Sequence, residues 1–156
     1  MNVAKKVVVD SSVIVKWVNR DNELELDQAD KLLSDVQAGK VDLIAPDLAK
    51  YEVGNALMKK GIEEMQALQN LDTIYSLPIK FVSETEELAS DTYRLANKVR
   101  LVGGSAKFTY YDASFAALAK QENATLVTAN PKHQTKIPGI EVVPLESYQR
   151  WVYHII

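Results

Sequence analysis

Short apolar runs rich in β-branched residues recur along this chain. The first three are followed by stretches in which apolar residues repeat every three or four positions. The runs are Val7-Val8-Val9, Val41 to Ala45, Pro78-Ile79-Lys80-Phe81-Val82, Thr125 to Ala129 and Ile140-Glu141-Val142-Val143. Between the first two, Val13 to Trp17 can open a short helix, and Ala29, Leu32, Leu33 and Val36 keep helical spacing up to a stop at Gly39. A helix is expected from about Asp47 to Lys60, with Gly61 as its breaker, and Ile62, Met65 and Leu68 begin another. Ser83 with Glu86 three residues later is a capping-box signature for a helix carrying Leu88, Tyr93, Leu95 and Val99. Gly103-Gly104-Ser105 marks a loop, and a further helix follows Tyr111. Parallel strands need crossover connections, and strands without polar alternation must be covered on both sides. The expected fold class is therefore α/β, with a mostly parallel central sheet and helices on both faces.

The 156 residues are enough for one domain with a sizeable core, so a single unit over 1–156 is expected. Its aromatic and aliphatic tail, about 147–156, should pack on that domain or on a dimer seam. The chain has no cysteine, which excludes disulfides, thiolate metal sites and cysteine nucleophiles. A net charge of -3 argues against a nucleic-acid binder that works through a basic patch. No apolar run is long enough for a signal peptide or a membrane span, and a cytoplasmic location is expected.

Against this frame, three carboxylates and one amide fall at telling places. Asp10 ends the first strand, Asn130 follows the Thr125–Ala129 run, Glu52 lies in the first turns of the helix after the second strand, and Asp112 opens a helix. Ligands of open α/β folds collect at the carboxyl ends of the strands, and one mouth of the sheet can gather all four. Two carboxylates about 4 Å apart repel by roughly 4 kcal/mol at an effective dielectric near 20. A divalent cation removes that conflict, and oxygen donors favour magnesium or manganese over zinc. His133 and His154 have no zinc-motif spacing. The residues then divide by role. Asp10 and Asp112 are metal ligands, direct or through water. Glu52 completes the shell or acts as general base. Ser11 and Thr128 hydrogen-bond the ligands or a phosphate, and Asn55, three residues after Glu52, is a candidate brace. Singly, each has an ordinary explanation: a turn at Asp10, a solvated helix residue at Glu52, a dipole partner at Asp112, a turn at Asn130-Pro131. The ordered set carries the functional reading.

That set resembles a known family. Val7-Val8-Val9-Asp10-Ser11-Ser12-Val13-Ile14-Val15-Lys16-Trp17 is similar to the opening of a PIN domain. Glu52-Val53-Gly54-Asn55-Ala56-Leu57, Tyr110-Tyr111-Asp112-Ala113-Ser114-Phe115-Ala116-Ala117-Leu118-Ala119 and Leu126-Val127-Thr128-Ala129-Asn130 are similar to its next three blocks, in order. Within the family the likeness is to VapC-type toxins of toxin–antitoxin pairs. The resemblance implies a magnesium-dependent endoribonuclease (Mg2+, or Mn2+), with Asp10, Glu52 and Asp112 as the acidic site. It also implies an RNA substrate, a small antitoxin that blocks the site, and a homodimer. Asn130 departs from the pattern, since the fourth block commonly ends in Asp. An amide there removes a negative charge, which should weaken a second metal site most. It also leaves room for an alternative reading, a catalytically weakened RNA- or partner-binding module. Lys16, Lys107 and Lys132 are placed near the blocks, where phosphates would pass. Trp151, Tyr153, Ile155 and Ile156 are assigned to packing before RNA stacking. Close packing against the first strand is the expected reason for Gly54 inside a helix. A phosphatase of the haloacid-dehalogenase type would need an acid at position 12, where the chain has Ser12.

Overall fold

The computed structural model describes residues 3–103, 107–133 and 137–155. Its five strands are β1 (Lys5–Val9), β2 (Val41–Pro46), β3 (Ile79–Val82), β4 (Thr125–Thr128) and β5 (Val142–Pro144). They form one sheet in the order β3-β2-β1-β4-β5, with every neighbouring pair parallel. In the central register Val8 stands beside Ile44 on one side and Leu126 on the other. Val7, Val8 and Val9 are all fully buried, and because successive side chains point to opposite faces, both faces of β1 must be covered. The covering helices are α1 (Ser11–Val18), α2 (Leu26–Gln37), α3 (Leu48–Lys59), α4 (Glu64–Ser76), α5 (Glu86–Leu101), α6 (Tyr110–Glu122) and α7 (Tyr148–Ile155). Helix α6 packs on β1, β2 and β4 and carries α5 on its back, while α1 packs against β4, α2, α3 and α4. The chain runs outward from β1 through β2 to β3, then returns to the other side of β1 for β4 and β5. The crevice between β1 and β4 is thus the topological switch point, where α/β folds place ligands.

The expected elements form, with instructive shifts. Gly39 and Gly61 stop α2 and α3 with φ of 70° and 66°, conformations that cost glycine nothing. The last strand is shorter than its apolar run and starts at Val142. Thr85, not Ser83, caps α5, its hydroxyl accepting from the Leu88 N–H at 3.1 Å. Ser83 instead donates to Asp47 Oδ2 at 2.6 Å and ties the end of β3 to the start of α3. In α4 the apolar positions taken for a core face do not serve as one. Met65 is 62% and Leu68 53% exposed, and Asn70 and Ile74 are buried in their place. Tyr93 of α5 likewise points outward, with Leu88, Thr92, Leu95 and Val99 forming the buried stripe. A Cβ on Gly54 would meet Leu71 of α4 at 3.6 Å, so its close neighbour is a helix and not the first strand. At the end of the chain, Tyr148 is fully buried and donates its hydroxyl to Asp35 Oδ2 at 2.9 Å. Lys31 also pairs with Asp35, so α7 is anchored to α2 through a buried carboxylate with two partners. The loop position Gly103 has φ of 73°, and Gly104 and Ser105 lie outside the described residues, as does Ile156. Among the described residues no helix is long and apolar enough to cross a membrane.

Candidate active site

Asp10 stands at the switch point. It leaves β1 with extended backbone and caps α1, its Oδ1 accepting from the Ser11 N–H at 2.9 Å. Its Oδ2 accepts from two hydroxyls, Ser12 Oγ at 2.8 Å and Thr128 Oγ1 at 2.7 Å. Thr128 is fully buried at the end of β4, so the second bond crosses the crevice. Both hydroxyls are held from behind: Ser12 Oγ accepts from the Ala129 N–H at 3.1 Å, and Thr128 Oγ1 from the Asn130 N–H at 3.0 Å. Asp10 retains only 8% of its exposure. Burial pushes its carboxyl above the ordinary value; the three donors offset part of that, and the nearby Asp112 charge adds to it.

Glu52 reaches the same place from α3. Ser11 joins it to Asp10, with the Ser11 N–H on Asp10 and the Ser11 hydroxyl donating to Glu52 Oε1 at 2.8 Å. Partial burial raises the Glu52 carboxyl, the Ser11 bond counteracts this, and the charges of Asp10 and Asp112 raise it further. Asp112 arrives on the first turn of α6 through a capping box. Thr109 Oγ1 accepts from the Asp112 N–H at 3.1 Å, while Asp112 Oδ2 accepts from the Thr109 N–H at 2.8 Å and its hydroxyl at 3.0 Å. Both cap bonds use Oδ2, so the cap makes no demand on the second oxygen.

The three acids therefore feel one another electrostatically, and no ion pair neutralises any of them among the described residues. Asp10 is instead braced by hydroxyl and backbone donors, an arrangement that holds a buried negative charge without cancelling it. Among the described residues no three His, Cys, Asp or Glu side chains converge closely enough to grip a metal ion directly. Asp112 is bound to its cap and Ser11 lies between Asp10 and Glu52. The donor set suits a hard cation that keeps several of its own waters, as magnesium does, rather than a tight cage.

The other expected residues separate. Ser11 and Thr128 bond the acids as described. Asn130 is exposed, and its backbone N–H is what touches the site, through Thr128. Asn55 is also exposed and, among the described hydrogen bonds, has none to the carboxylates. Lys16, placed by sequence where phosphates would pass, is buried, and Lys132 is exposed. Trp151 donates to Glu141 Oε1 at 3.0 Å and packs near Tyr148, while Tyr153 is exposed. Two contributors escaped the sequence reading. Ser12 was legible as a second hydroxyl after the strand-ending acid. Thr109 was legible as the start of Thr109-Tyr110-Tyr111-Asp112, a capping-box pattern.

The sequence matches one family model along most of its length. The profile of the PIN domain matches residues 7–139, and the chain belongs to the PIN domain family. Among individual proteins it is similar to Ribonuclease VapC3 of Pyrobaculum aerophilum, 30% identical over 141 residues that span 86% of this chain and 97% of that one. Its fold is similar to that of VapBC2 from Rickettsia felis, solved bound to a DNA fragment from its promoter, with a TM-score of 0.71, 19% identity, and 89% and 98% of the two chains covered. It is also similar to VapC20 of Mycobacterium tuberculosis, a Sarcin-Ricin loop cleaving toxin, with a TM-score of 0.61, 14% identity and 86% and 98% coverage.

Proposed function

We propose that this chain is a metal-dependent endoribonuclease and the toxin of a VapBC-type toxin–antitoxin pair. The observation that carries the reading is the set of three mutually repelling carboxylates at the β1/β4 crevice, with no cation paired to them among the described residues. The likeness to Ribonuclease VapC3 supports the substrate class. In this reading Asp10 and Asp112 are the residues that would hold a divalent ion, Mg2+ or Mn2+. The ion, when bound, offsets phosphate charge and makes a coordinated water more acidic. Glu52, whose carboxyl is raised toward the working pH, accepts the proton of the attacking water. Ser11, Ser12 and Thr128 fix the orientation of the acids. An antitoxin presenting an Arg to the acidic mouth, a homodimer, and a single domain over the whole chain complete the proposal.

The test is cleavage of several single-stranded and structured RNAs by purified protein with magnesium or manganese, beside Asp10→Asn and Asp112→Asn. Metal-dependent cleavage by the parent, lost in both variants, is the expected result. Cleavage that survives both substitutions would overturn the assignment. A parent that binds RNA but cuts none would favour the weakened binding module that Asn130 suggests.

A further inference from the structure

At the carboxyl ends of β2 and β3, against the first turn of α6, lies a cavity of about 150 Å³. Its apolar wall is Pro46, Leu48, Val82 and Leu88, and its aromatic side is Tyr110 and Tyr111. A cavity of roughly this volume with apolar walls accepts one benzene-sized ring, well below the about 300 Å³ at which drug-sized pockets begin. The two tyrosines meet edge to face, with centroids 6.4 Å apart and planes at 81°. Tyr111 is 57% exposed, so a flat ring can reach it from solvent.

The polar groups of this cavity are mainly acceptors. Asp47 is already used on both oxygens, by Lys50 at 3.0 Å and Ser83 at 2.6 Å. Glu84 takes the Tyr110 hydroxyl on Oε1 at 2.7 Å, and that bond pushes the Tyr110 hydroxyl up to about 12, keeping it a donor at neutral pH. Oε2 of Glu84 is not used by that bond. The cavity is linked to the acids along the chain: Tyr110, Tyr111 and Asp112 are successive residues of one helical turn, and the Ser114 hydroxyl, at the cavity, donates to the Tyr111 carbonyl at 2.6 Å.

We propose that this cavity takes the six-membered ring of one unpaired guanine of the RNA, with the five-membered ring and the sugar left outside it. The inference rests on the ribonuclease reading and specifies its substrate. Single-stranded bases are read by stacking on aromatic side chains and by bonds to their Watson–Crick edges. Guanine offers two adjacent donors, N1–H and the N2 amine, to the Glu84 carboxylate. Uracil offers one donor flanked by two carbonyl oxygens, which that carboxylate repels.

The experiment uses the full chain in two arms. In chelator, fluorescence anisotropy compares an oligouridine carrying one guanosine with the same oligomer carrying inosine, adenosine or only uridine. With manganese, the same oligomers are cleaved and the cut sites mapped. The guanosine oligomer is expected to bind about tenfold tighter than oligouridine, with inosine between them, and Tyr111→Ala to erase most of that gain. Glu84→Gln should remove the preference for guanosine over inosine while leaving the fold intact, and Tyr111→Phe should retain binding. Equal binding of guanosine and uridine oligomers by the parent would overturn the pocket. So would a guanosine preference untouched by both Glu84→Gln and Tyr111→Ala. Guanosine preference in chelator without cleavage in manganese would sink the ribonuclease reading and spare the pocket. Cleavage with no base preference would do the reverse.

Discussion

Thr128 shows how much a single hydroxyl carries here. It is fully buried, donates to the Asp10 carboxylate at 2.7 Å and accepts the Asn130 N–H at 3.0 Å. Thr128→Val keeps the shape and removes the donor, leaving a buried charge with one partner fewer. A loss of about 1.5–3 kcal/mol is expected by urea unfolding at constant slope; a change under about 0.5 kcal/mol would mean that the bond does not hold Asp10. Asn130→Asp adds a charge at the rim and is expected to tighten manganese binding by calorimetry, whereas unchanged affinity would place position 130 outside the coordination shell. At this scale the sequence was informative where chemistry is tied to strand ends. Asp10, Ser11 and Thr128 were legible because an acid or hydroxyl at or just past the end of an apolar strand falls at the sheet mouth. The division of labour between Ser11 and Ser12 was not. Which hydroxyl reaches Asp10 and which reaches Glu52 depends on where α1 begins its first turn.

Among the elements, helix starts decide where the acids point. Thr109 and Asp112 satisfy each other in a capping box, so the stability of the α6 start and the aim of Asp112 are the same interaction. Thr109→Ala should cost about 0.5–2 kcal/mol and also weaken metal binding. Destabilisation with unaltered metal affinity would show that the cap does not aim the acid. Gly54→Ala should do the opposite within α3. Its new methyl would sit at ordinary contact distance from Leu71, so a gain of about 0.5–1 kcal/mol in thermal or urea unfolding is expected, and a loss would reveal a tighter α3–α4 contact. The misplaced cap of α5 has a related cause. Ser83 and Thr85 both carry a hydroxyl suited to capping, and local pattern alone cannot choose between them. Tertiary structure chooses, because Ser83 is drawn to Asp47 across the β3–α3 junction. The outward face of α4 was illegible for a similar reason: Asn70 is buried among polar groups between α4 and the end of α1, a role that no hydrophobic pattern announces.

For the whole molecule, the buried acids tie stability to pH. The Asp10 and Glu52 carboxyls lie above their ordinary values of 3.8 and 4.5, first because of burial. A carboxyl raised in the folded state binds more protons folded than unfolded between its two pKa values. Its contribution to stability is therefore most favourable below the unfolded value and declines as pH rises through the folded one. The metal-free protein thus carries its acidic site at a cost near neutrality, while Asp30 and Asp47, lowered by Arg20 and by Ser83 with Lys50, act in the opposite sense and lose their contribution as pH falls. A divalent ion needs the deprotonated acids, so its stabilising effect should be smallest near pH 4.5 and grow toward neutrality. At a hundredfold excess over Kd the gain is about 2.7 kcal/mol. At roughly 2–4 °C per kcal/mol for a chain of this size, that is a readily measured rise in Tm. Manganese titrations followed by thermal unfolding at successive pH values should show this growth in the parent. Asp10→Asn, which removes the charge and sets an amide NH2 against the Ser12 and Thr128 hydroxyls, should abolish the manganese effect. A manganese-induced rise that persists in Asp10→Asn, or that is flat with pH in the parent, would place the bound ion away from the β1/β4 crevice.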